Sequence, residues 1–369
     1  MRLRFLDTAR ALAVLYVLVF HVAGIWSLEY PKQLTQIMQS GGSGVVLFFI
    51  ISGFSLCLTM DRHLDSPSPM WSYSIARIFR ILPLYYLLLV LTIWRDAAFR
   101  DMVHDPAKIL SSAFLVFNLK PEFAMGIVWA SWTIGVEMIF YAIFPFLHLW
   151  LNNTQKKVAA LITVSWITYG VAIFVIPNLA EGVQRSFSYM NFPRNLAIFL
   201  AGMVAYDAYR YLDRTLTSNR SSWGIMISAA GFSMIAAFVI LTRLTWGKTL
   251  FVDLGLIQAV SYCVLVLGFS LLPHRLIGNR VTDFYSKVCY SAYLWHPMII
   301  WALKDVYDLV YATDHNLWIK FGLSVSVTFV ILSIVSWFSY HLIERPGQKL
   351  GKSLLLKLNR NKVVGPANG

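Results

Sequence analysis

The residues best suited to chemistry in this chain are ionisable groups inside apolar stretches. Arg10 and His21 share the first of these, which runs from Phe5 to His21. Eleven steps at about 100° each make three turns plus about 20°, so both side chains leave one helix face, about 16 Å apart along the axis. That is about half a bilayer core. With Arg10 at one membrane surface, His21 lies at the midplane or just beyond it. Glu137 and His296 also sit within apolar runs. Ionisable groups at such depth are expensive and as a rule functional. A His with a second His or a Glu nearby is the composition of a general base and its orienting partner. Arg77 and Arg80 are i, i+3 neighbours on one helix face, followed by Pro83. Their forked donors, with those of Arg10, suit phosphates: an anionic headgroup, a nucleotide or coenzyme A.

Plainer roles stand beside these. Arg77 and Arg80 can be topology signals, and His21 an interhelical hydrogen-bond donor. His296 precedes Pro297, which frees a carbonyl and can kink the helix, so a structural role is open. Glu137 is harder to dismiss, because a mid-membrane carboxylate needs a partner or a proton. Trp129, Trp132, Trp295 and Trp301 read as packing residues or interface anchors. Gly41-Gly42-Ser43-Gly44 and Ser52-Gly53 allow close helix approach, or passage of an extended chain such as pantetheine beside the backbone; packing is the simpler reading.

The elements that must position these groups follow from composition. Of 369 residues 58% are hydrophobic and only 13% charged, against about 25% charged in a soluble domain. The apolar residues come in long runs. The expected fold is therefore all-α and polytopic, with about ten transmembrane helices. Their expected extents are 9–28, 43–60, 79–95, 128–150, 158–177, 192–212, 223–242, 250–272, 285–303 and 318–342. About 20 of the 31 Lys and Arg fall on the Met1 side, so both termini are expected to be cytoplasmic. The net charge of +13 needs no nucleic acid to explain it. Asp305, Asp308 and Asp314 in the outer loop 304–316 fit the same orientation. Counted along their spans, His21 lies about 18 Å from the inner surface, Glu137 about 14 Å below the outer one and His296 about 16 Å from the inner one. All three are thus expected in one layer.

A transmembrane domain over 1–346 and a basic cytoplasmic tail over 347–369, surface-lying or disordered, complete the organisation. The stretch 96–127 is expected to hold a short interfacial or re-entrant helix around Ile109–Leu119. The first thirty residues resemble a signal peptide, but His21 is odd in a discarded segment and no small-residue cleavage site follows. The glycosylation patterns at Asn152 and Asn219 fall on the cytoplasmic side and read as chance. Cys57, Cys263 and Cys289 form no CxxC pair and read as small buried hydrophobes; no metal site is expected.

Several segments in order resemble the integral-membrane acyltransferase family three, typified by bacterial polysaccharide O-acetyltransferases. Arg10 with His21 resembles its signature. Gly44-Val-Val-Leu-Phe-Phe-Ile-Ile-Ser52-Gly53-Phe54 is similar to its second-helix motif, and Arg77-Ile-Phe-Arg80-Ile-Leu-Pro83 to its Arg-x-x-Arg-x-x-Pro stretch. Trp132-Thr-Ile-Gly-Val-Glu137-Met-Ile-Phe-Tyr141, ending at Pro145, looks like its fourth-helix motif. Tyr290-Ser-Ala-Tyr-Leu-Trp-His296 and Ile343-Glu344-Arg345-Pro346 look like its closing motifs. Family members often carry two acidic residues where this chain has Glu137-Met138. Many also carry a C-terminal esterase-like domain, for which the sequence leaves no room. The membrane domain is therefore expected to suffice or to act with a separate partner.

The resemblance implies a bacterial inner-membrane O-acyltransferase whose donor, acetyl-CoA or another acyl-CoA, enters from the cytoplasm. Arg10, Arg77 and Arg80, with Ser52, would bind the donor. His21 would deprotonate a hydroxyl of an envelope carbohydrate, with Glu137 or His296 fixing its tautomer; an acyl-histidine intermediate is the alternative route. Loops 29–42, 96–127 and 178–191 would face the acceptor. Mid-membrane His and Glu also suit a proton-coupled transporter, although no inverted repeat is visible. A lipid, peptidoglycan or small-molecule acceptor, or a succinyl donor, would use the same residues.

Overall fold

The computed structural model describes residues 3–241 and 254–363. The last residue expected in the span 223–242, the first four of 250–272 and the tail beyond 363 lie outside them. The described residues form α1 (Arg4–Ile25), α2 (Thr35–Gln39), α3 (Gly44–Leu64), α4 (Pro69–Arg100), α5 (Pro106–Ala113), α6 (Trp132–Trp150), α7 (Thr154–Gly170) and α8 (Glu181–Met190). There follow α9 (Phe192–Thr215), α10 (Arg220–Leu241), α11 (Leu254–Leu271), α12 (His274–Ile277), α13 (Arg280–Ala302), α14 (Lys304–Tyr311), α15 (Leu317–Ser339) and α16 (Arg345–Val363). No strand occurs among the described residues.

Among the described residues, 7 helical stretches are long and apolar enough to cross a membrane, containing α1, α3, α4, α6, α7, α10 and α15. The protein is a multi-pass membrane protein. The expected spans 192–212 and 285–303, and the described part of 250–272, overlap α9, α13 and α11, which are more polar or shorter and do not count among the 7. Asp207, Arg210 and Asp213 lie on α9, and Asp283 and Lys287 on α13. Helix α4 runs well beyond the expected 79–95, because the apolar window stops at Arg77 and Arg80 while the helix does not. Asn153, Asn191, Asn279 and Asn316 start α7, α9, α13 and α15, each accepting backbone N–H groups of the first turn.

Helix α3 is central, packed on α1 and α9, and α1 is packed in turn on α13. Small residues set these distances. A Cβ on Gly53 of α3 would collide with the Phe199 carbonyl of α9, and one on Gly202 of α9 with the Ile50 carbonyl of α3. A Cβ on Gly44 would lie 2.7 Å from the Ala13 carbonyl of α1. These glycines serve helix approach. Phe199 stacks on Phe140 at 3.9 Å and on Phe49 at 4.7 Å, tying α6 to the same centre. A close ion pair, Lys157 Nζ to Asp207 at 2.6 Å, joins α7 to α9. The stretch 96–127 holds α5 and two single 3₁₀ turns, Phe117–Leu119 and Pro121–Phe123. The Tyr85 and Tyr86 hydroxyls bind it to α4 through the Ser112 and Ala113 carbonyls. Segment 345–363 is helical and packed on α4.

Among the described residues three α-helices carry an interior proline: Pro83 in α4, Pro145 in α6 and Pro297 in α13. Each lacks the N–H that would reach the carbonyl four residues earlier. The orphans are Phe79, Tyr141 and Tyr293. The Tyr73 hydroxyl donates to the Tyr141 carbonyl at 3.0 Å, and His296 Nδ1 meets the Tyr293 carbonyl at 2.5 Å. The Phe79 carbonyl faces Gly347 of α16, where a Cβ would lie 2.9 Å away.

The proline–carbonyl account predicts a coupling. Tyr73→Phe strands the Tyr141 carbonyl and should cost about 1–3 kcal/mol of stability in detergent unfolding. In a Pro145→Ala background the restored backbone N–H takes that carbonyl, and the same Tyr73→Phe change should cost clearly less. Equal costs in both backgrounds would refute it.

Candidate active site

His21 and His296 meet where α1 crosses α13, their ring centroids 4.7 Å apart and tilted by 49°. His21 Nδ1 lies 2.9 Å from the Val17 carbonyl one turn back. A carbonyl only accepts, so Nδ1 carries the proton in both rings and Nε2 presents a lone pair. Backbone carbonyls thus hold the tautomers, a task the sequence reading gave to Glu137 or His296. His296 is fully buried and its Nε2 has no partner. His21 faces a cavity of about 380 Å³.

That cavity is walled by Gly42 and Ser43 of the α3 approach, Met125 and Trp129 of the loop before α6, Trp132 at the start of α6, Arg185 and Tyr189 of α8, and Arg194 and Asn195 of α9. Trp129 and Trp132 therefore face a cavity rather than only packing. Each of the three loop stretches expected to face an acceptor contributes a lining residue: Gly42, Met125 and Arg185.

The second group lies at the other end of α1. Arg10 is held by the Asp7 carboxylate at 3.4 Å and the Ser55 hydroxyl at 2.6 Å. Arg77 donates to Thr59 Oγ1 at 3.3 Å and lies 5.6 Å from the ring centroids of both Tyr73 and Tyr141. Its Nε is buried without a partner. These arginines, with Arg80, Ser52 and Glu137, line a narrow cavity of about 100 Å³. Glu137 reaches Ser52 and Tyr141 and faces Arg80 and Arg77. The structure therefore groups Glu137 with the arginines and not with the histidines. Ser52 joins that group through Tyr141, at 3.1 Å between hydroxyls.

Val45 and Tyr293 line both cavities. Arg77 and Arg80 also line a third, a basic vestibule of about 440 Å³ between α3, α4 and α16. The three form a row: vestibule, arginine cavity, histidine cavity. Tyr293 stands at the waist. Its hydroxyl accepts from Thr133 at 3.2 Å, and its own carbonyl holds His296. Tyr141, Tyr293 and Glu344 were visible in the sequence only as motif letters. Glu344 is buried and accepts from the Ser291 hydroxyl of α13. Arg185 was covered only by the expectation for the stretch 178–191, and Arg194 and Asn195 carried no signal at all, because polar residues near helix ends are ordinary. Such an arrangement can hold an anionic molecule at one end, pass a slender chain between the arginines and present it to an imidazole lone pair.

Cys289 and Cys57 are both buried in the packed core, but Cys289 also lines the arginine cavity and Cys57 does not. A small neutral thiol reagent should modify Cys289 well before Cys57, read by mass spectrometry of the intact fold. Equal rates at both would mean that the cavity is closed to small molecules.

A family model described as an acyltransferase domain matches residues 3–338. Peptidoglycan O-acetyltransferase OatA of Listeria monocytogenes is 24% identical over 377 residues, covering 94% of this chain and 56% of that protein. A Staphylococcus aureus protein with an O-acetyltransferase name is 24% identical over 376 residues, covering 94% of this chain and 57% of its own length. An Acidianus two-tailed virus protein with an acetyltransferase name is 26% identical over 293 residues, covering 79% and 81%. The chain thus spans little more than half of the two bacterial relatives. No solved structure matches it. The sequence motifs, the helical membrane architecture and the match across nearly the whole length agree, and the chain belongs to the integral-membrane acyltransferase family three.

Proposed function

We propose that this protein moves an acetyl group from cytoplasmic acetyl-CoA to a hydroxyl of an envelope carbohydrate, in a bacterial inner membrane with both termini inside. The observation that carries this reading is the row of cavities joining three arginines at one end to His21 at the other. Arg10, Arg77 and Arg80 bind the donor phosphates, and Ser52 and Glu137 hold the arginines and Tyr141 in place around the pantetheine arm. The acceptor hydroxyl enters from the opposite face. His21 Nε2 takes its proton, the oxygen attacks the thioester carbon, the C–S bond breaks, and the departing thiolate takes the proton from the imidazolium. His296, tilted against His21 and locked by Tyr293, fixes the angle of the base. The name of the Listeria relative supports peptidoglycan as one acceptor of the right kind. Membership in an acyltransferase family favours this chemistry over proton-coupled transport.

Vesicles supplied with labelled acetyl-CoA at the arginine face should form alkali-labile acetyl on envelope glycan. His21→Ala, folded by its unfolding profile, should lower that rate by about 100-fold or more. Retention of the full rate would remove His21 from the chemistry.

A further inference from the structure

The stretch matched by the family model ends at residue 338, yet the vestibule is walled on one side by α16. A glycine pair sets this contact. Gly347 and Gly351 are one turn apart on one face. A Cβ on Gly351 would lie 2.8 Å from Phe79 Cβ and 3.2 Å from Ile75 Cγ2 of α4. Gly347 fits against the Phe79 carbonyl that Pro83 leaves without a backbone donor, 2.9 Å from where its Cβ would be. Close approach of the two helices then swings Gln348 and Lys352, each one residue beyond a glycine, into the vestibule wall. Facing them from α3 and α4 are Arg62, His63, Arg77 and Arg80. Among the described residues no carboxylate lines this space. The buried, unpartnered Nε of Arg77 lies at its inner end. A chamber lined by so many cations and no anion is built for several phosphates at once.

We infer that α16 is part of the donor site: it walls the vestibule, and Lys352 joins Arg77 and Arg80 in binding the phosphates of the donor nucleotide, from which the arm threads inward. This rests on the reading of the arginine end as the donor end. The basic C-terminal segment is then a wall of the binding site and more than a membrane-surface tail. Lys349 and Lys357, on the same helix, do not line the vestibule.

The test uses the full chain in nanodiscs of phosphatidylcholine, which offers no anionic headgroup, with coenzyme A titrated calorimetrically. Lys352→Glu should bind coenzyme A about tenfold more weakly, whereas Lys349→Glu and Lys357→Glu, which make the same charge change on the same helix, should stay within about twofold of wild type. Pantetheine, which has no phosphate, should bind all four proteins alike. Equal coenzyme A binding by Lys352→Glu and the two controls would overturn the role of α16 while leaving the donor site standing. Failure of the wild type to bind coenzyme A would overturn the donor reading itself. A Lys352→Glu effect confined to discs containing anionic lipid would assign the lysine to headgroups and also overturn the inference.

Discussion

A carbonyl inside hydrocarbon cannot turn to water, so every proline in a membrane helix creates a group that something else must satisfy. Among the described residues this chain places three prolines inside α-helices that line its cavities; side chains meet two of the released carbonyls, and the third faces a glycine of a neighbouring helix. The Tyr293 carbonyl is taken by His296, which fixes the ring that lies tilted against His21. Tyr141 gives its carbonyl to Tyr73, and the two phenol rings then flank Arg77. Phe79 turns its carbonyl to a glycine, which draws a further helix against α4. In each case a backbone defect has become a positioning device.

The charges are segregated along the row that results. Arginines and the Glu137 carboxyl share one compartment, and two imidazoles share the next, with Val45 and Tyr293 between them. Segregation suits both groups. An imidazole beside three guanidinium groups would be disfavoured as a proton acceptor, and a phosphate drawn as deep as the histidines would lose its cations. The separation of Arg10 and His21 by three turns of one rigid helix holds the two compartments at a fixed distance.

Much of this was legible in sequence because helices impose a ruler. The Arg10–His21 spacing gave both a shared face and an axial distance. His21 and His296 were placed at similar depth, and they do meet. Glu137 shows where the ruler ends. Depth is one coordinate, and a helix side chain also has a direction around its axis, which depends on which neighbours α6 packs against. Its carboxyl turns toward Ser52 and the α4 arginines, so a group counted into the histidine layer belongs to the other compartment. Tyr293 and Glu344 escaped notice for a related reason. The part of Tyr293 rests on its own backbone carbonyl, freed by a local proline, and that of Glu344 on the Ser291 hydroxyl some fifty residues away.

The arginine cavity has a consequence for the cell. A row of cavities through a membrane protein is close to being a conduit, and each elementary charge leaking through it would dissipate about 2.3 kcal/mol per 100 mV of membrane potential. The three guanidinium groups that line the inner cavity raise an electrostatic barrier to protons and metal cations, as an arginine does in a water-selective pore. The same guanidinium groups that suit a phosphate ligand would thus also insulate the bilayer, so their removal would compromise the energised membrane as well as the site.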